Sequence, residues 1–160
     1  MAISDKPEFP PLLPAGLQPM SVAELKALTV ESFPLSASRS VIFTGLENLL
    51  AELNRWAIQA EVWIDGSFLT QKIDPEDCDL VVRLDSEFVE RCSPEQFQVL
   101  SWINSNLKAT LLCDSYVFAE WPEGHEGHAA GAALRADWLR WFGHDRRGGA
   151  KGMAVIGTPL

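Results

Sequence analysis

Trp63-Ile-Asp-Gly-Ser-Phe-Leu-Thr70, followed by Asp77-Cys-Asp-Leu-Val-Val82, decides the reading of this chain. The first segment reads as a strand running into a Gly-Ser turn. The second reads as a strand opened by two acids in alternation. Successive side chains of a strand point to opposite faces, so Asp77 and Asp79 share one face while Cys78 and Leu80 share the other. Two carboxylates about 7 Å apart on one strand face suit a pair of divalent ions. The Gly66-Ser67 turn offers backbone N–H groups and a hydroxyl to a phosphate. A phosphate cradle beside metal-binding acids points to chemistry on a nucleoside triphosphate.

Working outward, residues 1–20 hold five prolines and read as extended or turn-rich chain, because Pro lacks a donor and fixes its own φ. Phe9, Leu12, Leu13 and Leu17 give this arm an apolar side to lay on a core. Ser21 and Glu24 form a capping-box signature, which predicts a short helix from Val22 to about Leu28. A longer helix starts near Ser38 or Arg39, with Ile42, Leu46, Leu49, Leu50, Leu53 and Trp56 on one face. Strands are expected over Ala60–Ile64, Asp77–Leu84 and Thr110–Phe118. Between the last two, Ser93-Pro-Glu-Gln opens a helix whose inward face is Phe97, Leu100, Ile103 and Leu107. After a turn-rich loop, a final helix sets Leu134, Trp138 and Trp141 inward, with Gly143 as its C-cap. The tail from Lys151 to Ile156 is expected to add one edge strand. The fold class is therefore α/β (α+β), a mixed sheet covered by helices, with an arm over residues 1–37 and a single domain over 38–160.

Composition bounds the function. A chain of 160 residues makes one ordinary domain, and 47% hydrophobic residues argue for a folded globule. A net charge of −9 opposes a sequence-independent grip on DNA or RNA, so a free nucleotide is favoured over a long nucleic acid. Cys78, Cys92 and Cys113 have no metal-like spacing and read as reduced thiols. The chain shows no signal peptide and no bilayer-length apolar run, so a soluble, cytoplasmic protein with no membrane contact is expected.

Gly66-Ser67, a loop, and Asp77-x-Asp79 on an apolar strand resemble the nucleotidyltransferase superfamily of DNA polymerase β, above all its minimal, short bacterial members. The resemblance spans roughly residues 38–118 and implies a nucleotidyltransferase-like fold with a third acid on a later strand. Here that acid is Asp114. It implies two Mg²⁺ ions held by Asp77, Asp79 and Asp114, triphosphate held at Gly66 and Ser67, and transfer of a nucleoside monophosphate from an NTP to a hydroxyl of a protein, a tRNA or a small molecule. The pattern departs from the family at Phe68 and Leu69, where small and basic residues are usual. Minimal members are often half of a toxin–antitoxin or phage-defence pair, which implies a protein partner or a homo-oligomer. A second reading is a catalytically silent binding module of the same fold that docks onto a partner.

Several residues carry two readings. Asp65 reads first as a cap of its own Asp-Gly turn. His125-Glu-Gly-His128 lacks zincin spacing and reads as a solvated turn. His144-Asp-Arg-Arg-Gly-Gly-Ala-Lys-Gly152 is either an ordinary loop or a source of cations, in which Arg146 and Lys151 reach the triphosphate. Trp138, Trp141 and Phe142 read as core ahead of base-stacking platform, since they fit one helical face.

Overall fold

A computed structural model describes residues 6–160. Strands β1 (Gly16–Pro19), β2 (Ala60–Asp65), β3 (Cys78–Asp85), β4 (Cys113–Glu120) and β5 (Gly152–Thr158) form one five-stranded sheet in the order β1-β5-β2-β3-β4. The sheet is mixed: β1 and β5 are parallel, as are β3 and β4, whereas β2 runs antiparallel to both of its neighbours. The helices are α1 (Val22–Lys26), α2 (Arg39–Arg55), α3 (Ser86–Arg91), α4 (Pro94–Asn104), α5 (Lys108–Leu111) and α6 (His128–Phe142).

Alternation along β2 and β3 feeds two cores. Val62, Ile64, Leu80 and Val82 join Leu46, Leu49, Leu50 and Leu53 of α2 and Leu100 and Ile103 of α4 in the larger one. Trp63, Val81, Phe118, Met153 and Val155 point to the other face, where Phe142 and Trp138 of α6 cover them. The sheet is thus apolar on both sides, as its nearly continuous hydrophobic strands require. Gly131 lets α6 come close, because a Cβ there would lie 3.0 Å from the Ala119 carbonyl oxygen.

Several expectations need correction. The tail strand is not an edge. It lies between β1 and β2, because the proline-rich arm supplies β1 as the edge instead. Gly152 permits this, since a Cβ there would sit 2.0 Å from the Pro14 carbonyl oxygen. The inward face of α4 is Val99, Leu100 and Ile103, and Phe97 is 65% exposed. The capping box at Ser93, with Gln96 also donating to the Trp56 carbonyl at 2.8 Å, fixes the rotation that turns Phe97 outward. On α6, Leu134 and Trp141 face away from the core at 42% and 54% exposure; the stripe of Gly131, Trp138 and Phe142 packs instead. The third long strand starts at Cys113, not Thr110, because Lys108–Leu111 coil into α5 and Leu112 takes a left-handed φ of 57°. Beyond Lys26, the first helix continues as a wider turn through Ala27–Glu31. Among the described residues, no helix is long and apolar enough to cross a membrane.

Candidate functional site

The directions of the strands gather one end of the sheet into a site. β2 ends at Asp65, where β3 and β4 begin, and Lys151 immediately precedes β5 at that same end. Asp65 is the register partner of Asp79, and Asp79 is the register partner of Asp114. Register partners point to the same face, so three carboxylates stand in a row across three neighbouring strands, about 5 Å apart from strand to strand. Asp77 lies two residues before Asp79, just ahead of β3. These four acids line a cavity of about 550 Å³ together with Gly66, Ser67, Lys108, Arg146 and Lys151. Every residue singled out from the sequence for catalysis, metal or phosphate therefore borders one cavity.

Each acid has a distinct setting. Asp65 is 2% exposed; one of its oxygens lies 3.1 Å from Nζ of Lys151, and its Oδ1 is buried without a hydrogen-bond partner. Burial pushes its pKa up to about 7 against the pull of Lys151 and of the Gly66 N–H. Asp79 is pushed up to about 6, first by burial and then by the negative charges of Asp77 and Asp114. Asp77 binds Nζ of Lys108 at 3.0 Å, and this contact raises the lysine pKa. Asp114 accepts a short hydrogen bond from Nδ2 of Asn106, a residue held at a left-handed φ of 71°.

The Gly-Ser turn is built into this geometry. Gly66 has a φ of 86°, and a Cβ there would lie 2.3 Å from Oδ2 of Asp79. Only glycine lets the chain pass so close to the carboxylate in that conformation. Ser67–Leu69 then make a single tight helical turn, with Phe68 and Leu69 buried. Arg39, at the start of α2, clamps this turn and the segment leading out of it. Its Nη1 donates to the carbonyls of Thr29 at 3.0 Å and Phe68 at 2.7 Å. Its Nη2 donates to Thr70 at 2.7 Å, and its Nε to Lys72 at 3.1 Å. The guanidinium is buried and also stacks 3.7 Å from the Phe33 ring centroid; burial pushes its pKa down to about 10.

Sequence reasoning does not find Arg39, Asn106 or Lys108. Nothing in the string separates Lys108 from a solvated lysine, and an arginine at a helix start ordinarily faces water. Asp65, expected to cap its own turn, does accept from the Gly66 N–H, but its larger role is as the buried partner of Lys151. Its position two residues after Trp63 on a strand is the one signal of that role. Arg146 borders the cavity with an exposed side chain, while its backbone N–H donates to Glu8 at 3.3 Å. Both histidines of the 125–128 turn serve it locally: His125 Nδ1 accepts from the Gly127 N–H at 2.9 Å, and His128 Nδ1 meets the Trp121 carbonyl at 2.9 Å.

Chemically, the carboxylate oxygens of Asp77, Asp79 and Asp114 are the donor type a hard divalent cation takes, and Asp79 carries repulsion from the other two that a cation relieves. As they stand, no three acidic, histidine or cysteine side chains among the described residues converge into a ready metal group. No curated protein and no solved structure matches the chain. A family profile does, over residues 7–157, and the chain belongs to that family of unknown function, DUF6932.

Proposed function

We propose that this protein is a Mg²⁺-dependent nucleotidyltransferase, moving a nucleoside monophosphate from an NTP to a hydroxyl of a protein, tRNA or small molecule. The observation that carries this reading is the row Asp65–Asp79–Asp114, with Asp77 beside it and the Gly66-Ser67 turn packed against Asp79, all bordering one cavity. Its order along the chain resembles the Gly-Ser and Asp-x-Asp pattern of the polymerase β superfamily. Asp77, Asp79 and Asp114 would hold the metal, which when bound neutralises phosphate charge and lowers the pKa of an acceptor hydroxyl. The N–H groups after Gly66 and the Ser67 hydroxyl would bind phosphate oxygens. Lys151, held by Asp65, and Lys108, held by Asp77, supply the positive charge that a triphosphate needs beside clustered acids. Arg39 keeps the turn in shape through its carbonyl bonds. A protein partner or a second copy of the chain would present the acceptor.

The test is incubation of the purified chain with each α-labelled NTP, Mg²⁺ and a cell extract. Transfer of label to a macromolecule or metabolite, absent with Asp79→Asn, is the expected result. Tight Mg²⁺–NTP binding with no transfer under any condition would leave a silent binding module of the same fold. Failure to bind any NTP would remove both.

A further inference from the structure

The carboxylates, Ser67 and Lys151 line the polar part of the cavity, and Trp141, a residue 54% exposed, lines the same cavity. An exposed aromatic is ordinary by itself, as Phe97 shows; what sets Trp141 apart is that its exposed side chain stands in the lining of a cavity of acids and lysines. Its setting is rigid. The ring meets Trp138 edge-on, with centroids 5.2 Å apart and an interplanar angle of 90°. Trp138 is in turn held at 5.1 Å from Tyr116 and 5.2 Å from Phe142, and Phe142 belongs to the buried core. Trp141 is thus an exposed ring mounted on a fixed aromatic base, which loses little freedom when a planar group stacks on it. Because α6 ends at Phe142, the ring stands next to the loop that carries Arg146 and Lys151.

We infer that Trp141 is the stacking platform for the nucleobase of the NTP, so the one cavity takes phosphate at its carboxylate and lysine end and an aromatic base at its tryptophan. This rests on the nucleotidyltransferase reading above. It assigns the planar aromatic part of the ligand to a residue outside the Gly-Ser and Asp-x-Asp pattern. Stacking on an aromatic side chain tolerates every base, so Trp141 provides affinity more than base choice.

Calorimetric titration of wild type, Trp141→Ala and Trp141→Leu with each Mg²⁺–NTP and with Mg²⁺–tripolyphosphate tests this. Stacking lost to alanine is worth about 1–3 kcal/mol, so both variants should bind the preferred NTP roughly 5- to 150-fold more weakly. Their affinity for tripolyphosphate, which has no base, should stay within about two-fold of wild type. Leucine keeps apolar bulk without a ring face, so its matching loss separates stacking from simple burial. An unchanged NTP affinity in Trp141→Ala, or an equal loss for NTP and tripolyphosphate, overturns the inference and leaves the nucleotidyltransferase reading standing. Wild type that binds neither ligand overturns both.

Discussion

At the scale of single residues, Asp79 concentrates the tension of the site. Burial, then the charges of Asp77 and Asp114, disfavour its ionisation and push its carboxyl pKa up from the ordinary 3.8 to about 6. A carboxyl with a raised folded pKa gives stability that is complete below the unfolded pKa and is lost as pH rises through the folded value. Without metal, melting temperature should therefore fall between about pH 4 and pH 7, and Asp79→Asn should reduce that fall while the raised pKa of Asp65 keeps its own share of it. A rise from 3.8 to about 6 corresponds to roughly 2–3 kcal/mol, so the variant should gain several degrees at pH 7.5 and almost nothing at pH 4. Melting curves across that range, with and without Mg²⁺, check the sign. Arg39 is the opposite case, since removal of its guanidinium orphans buried carbonyls of Thr29, Phe68 and Thr70. Arg39→Met should cost at least about 3 kcal/mol, roughly 10 °C in melting temperature, and Arg39→Lys should recover only part because ammonium lacks the fork. Asp77 and Asp79 were legible as a pair because strand parity puts them on one face, whereas Asp114 was named only by what the resemblance implies. The clamp was not legible, because which buried carbonyls an arginine reaches depends on contacts that no local pattern encodes.

At the scale of elements, the turn after β2 is the piece that the site cannot vary. Gly66→Ala combines a positive φ with a Cβ 2.3 Å from the Asp79 carboxylate, so turn and acid must both shift. The expected outcome is a fold that survives with a lowered melting temperature and that loses Mg²⁺–NTP binding by at least about ten-fold. Binding as tight as wild type would show that the turn does not touch the ligand. The elements themselves were legible where their signals were local: Ser93-Pro opens α4, Gly143 ends α6, and α2 runs from Arg39 to Arg55 along its leucine stripe. Side-chain direction was less legible. Phe97, Leu134 and Trp141 match a helical period yet face outward, because capping contacts and close approach at Gly131 set each helix's rotation. The outward turn of Trp141 is what brings it to the cavity.

At the scale of the whole molecule, the site draws on both ends of the chain. The arm before α1 supplies β1, β1 covers β5, and the loop before β5 delivers Lys151 to Asp65. This long-range closure was the least legible feature, since a parallel pairing across more than a hundred residues leaves no mark in local composition. The net charge of −9 makes local cations decisive at this scale. Lys151→Ala should weaken Mg²⁺–NTP binding at low salt and weaken it less at high salt, where the attraction is already screened. Titrations at two ionic strengths measure this, and equal affinities at low salt would return Lys151 to a purely structural pairing with Asp65. The central claim is that Asp77, Asp79 and Asp114 hold metal for a nucleotide in this cavity. Its most direct test is calorimetric titration of wild type and Asp79→Asn with each NTP, with Mg²⁺ and with EDTA. The account predicts Mg²⁺-dependent binding of at least one NTP by wild type and its loss in a folded Asp79→Asn; NTP binding that is indifferent to both Mg²⁺ and this substitution would contradict it.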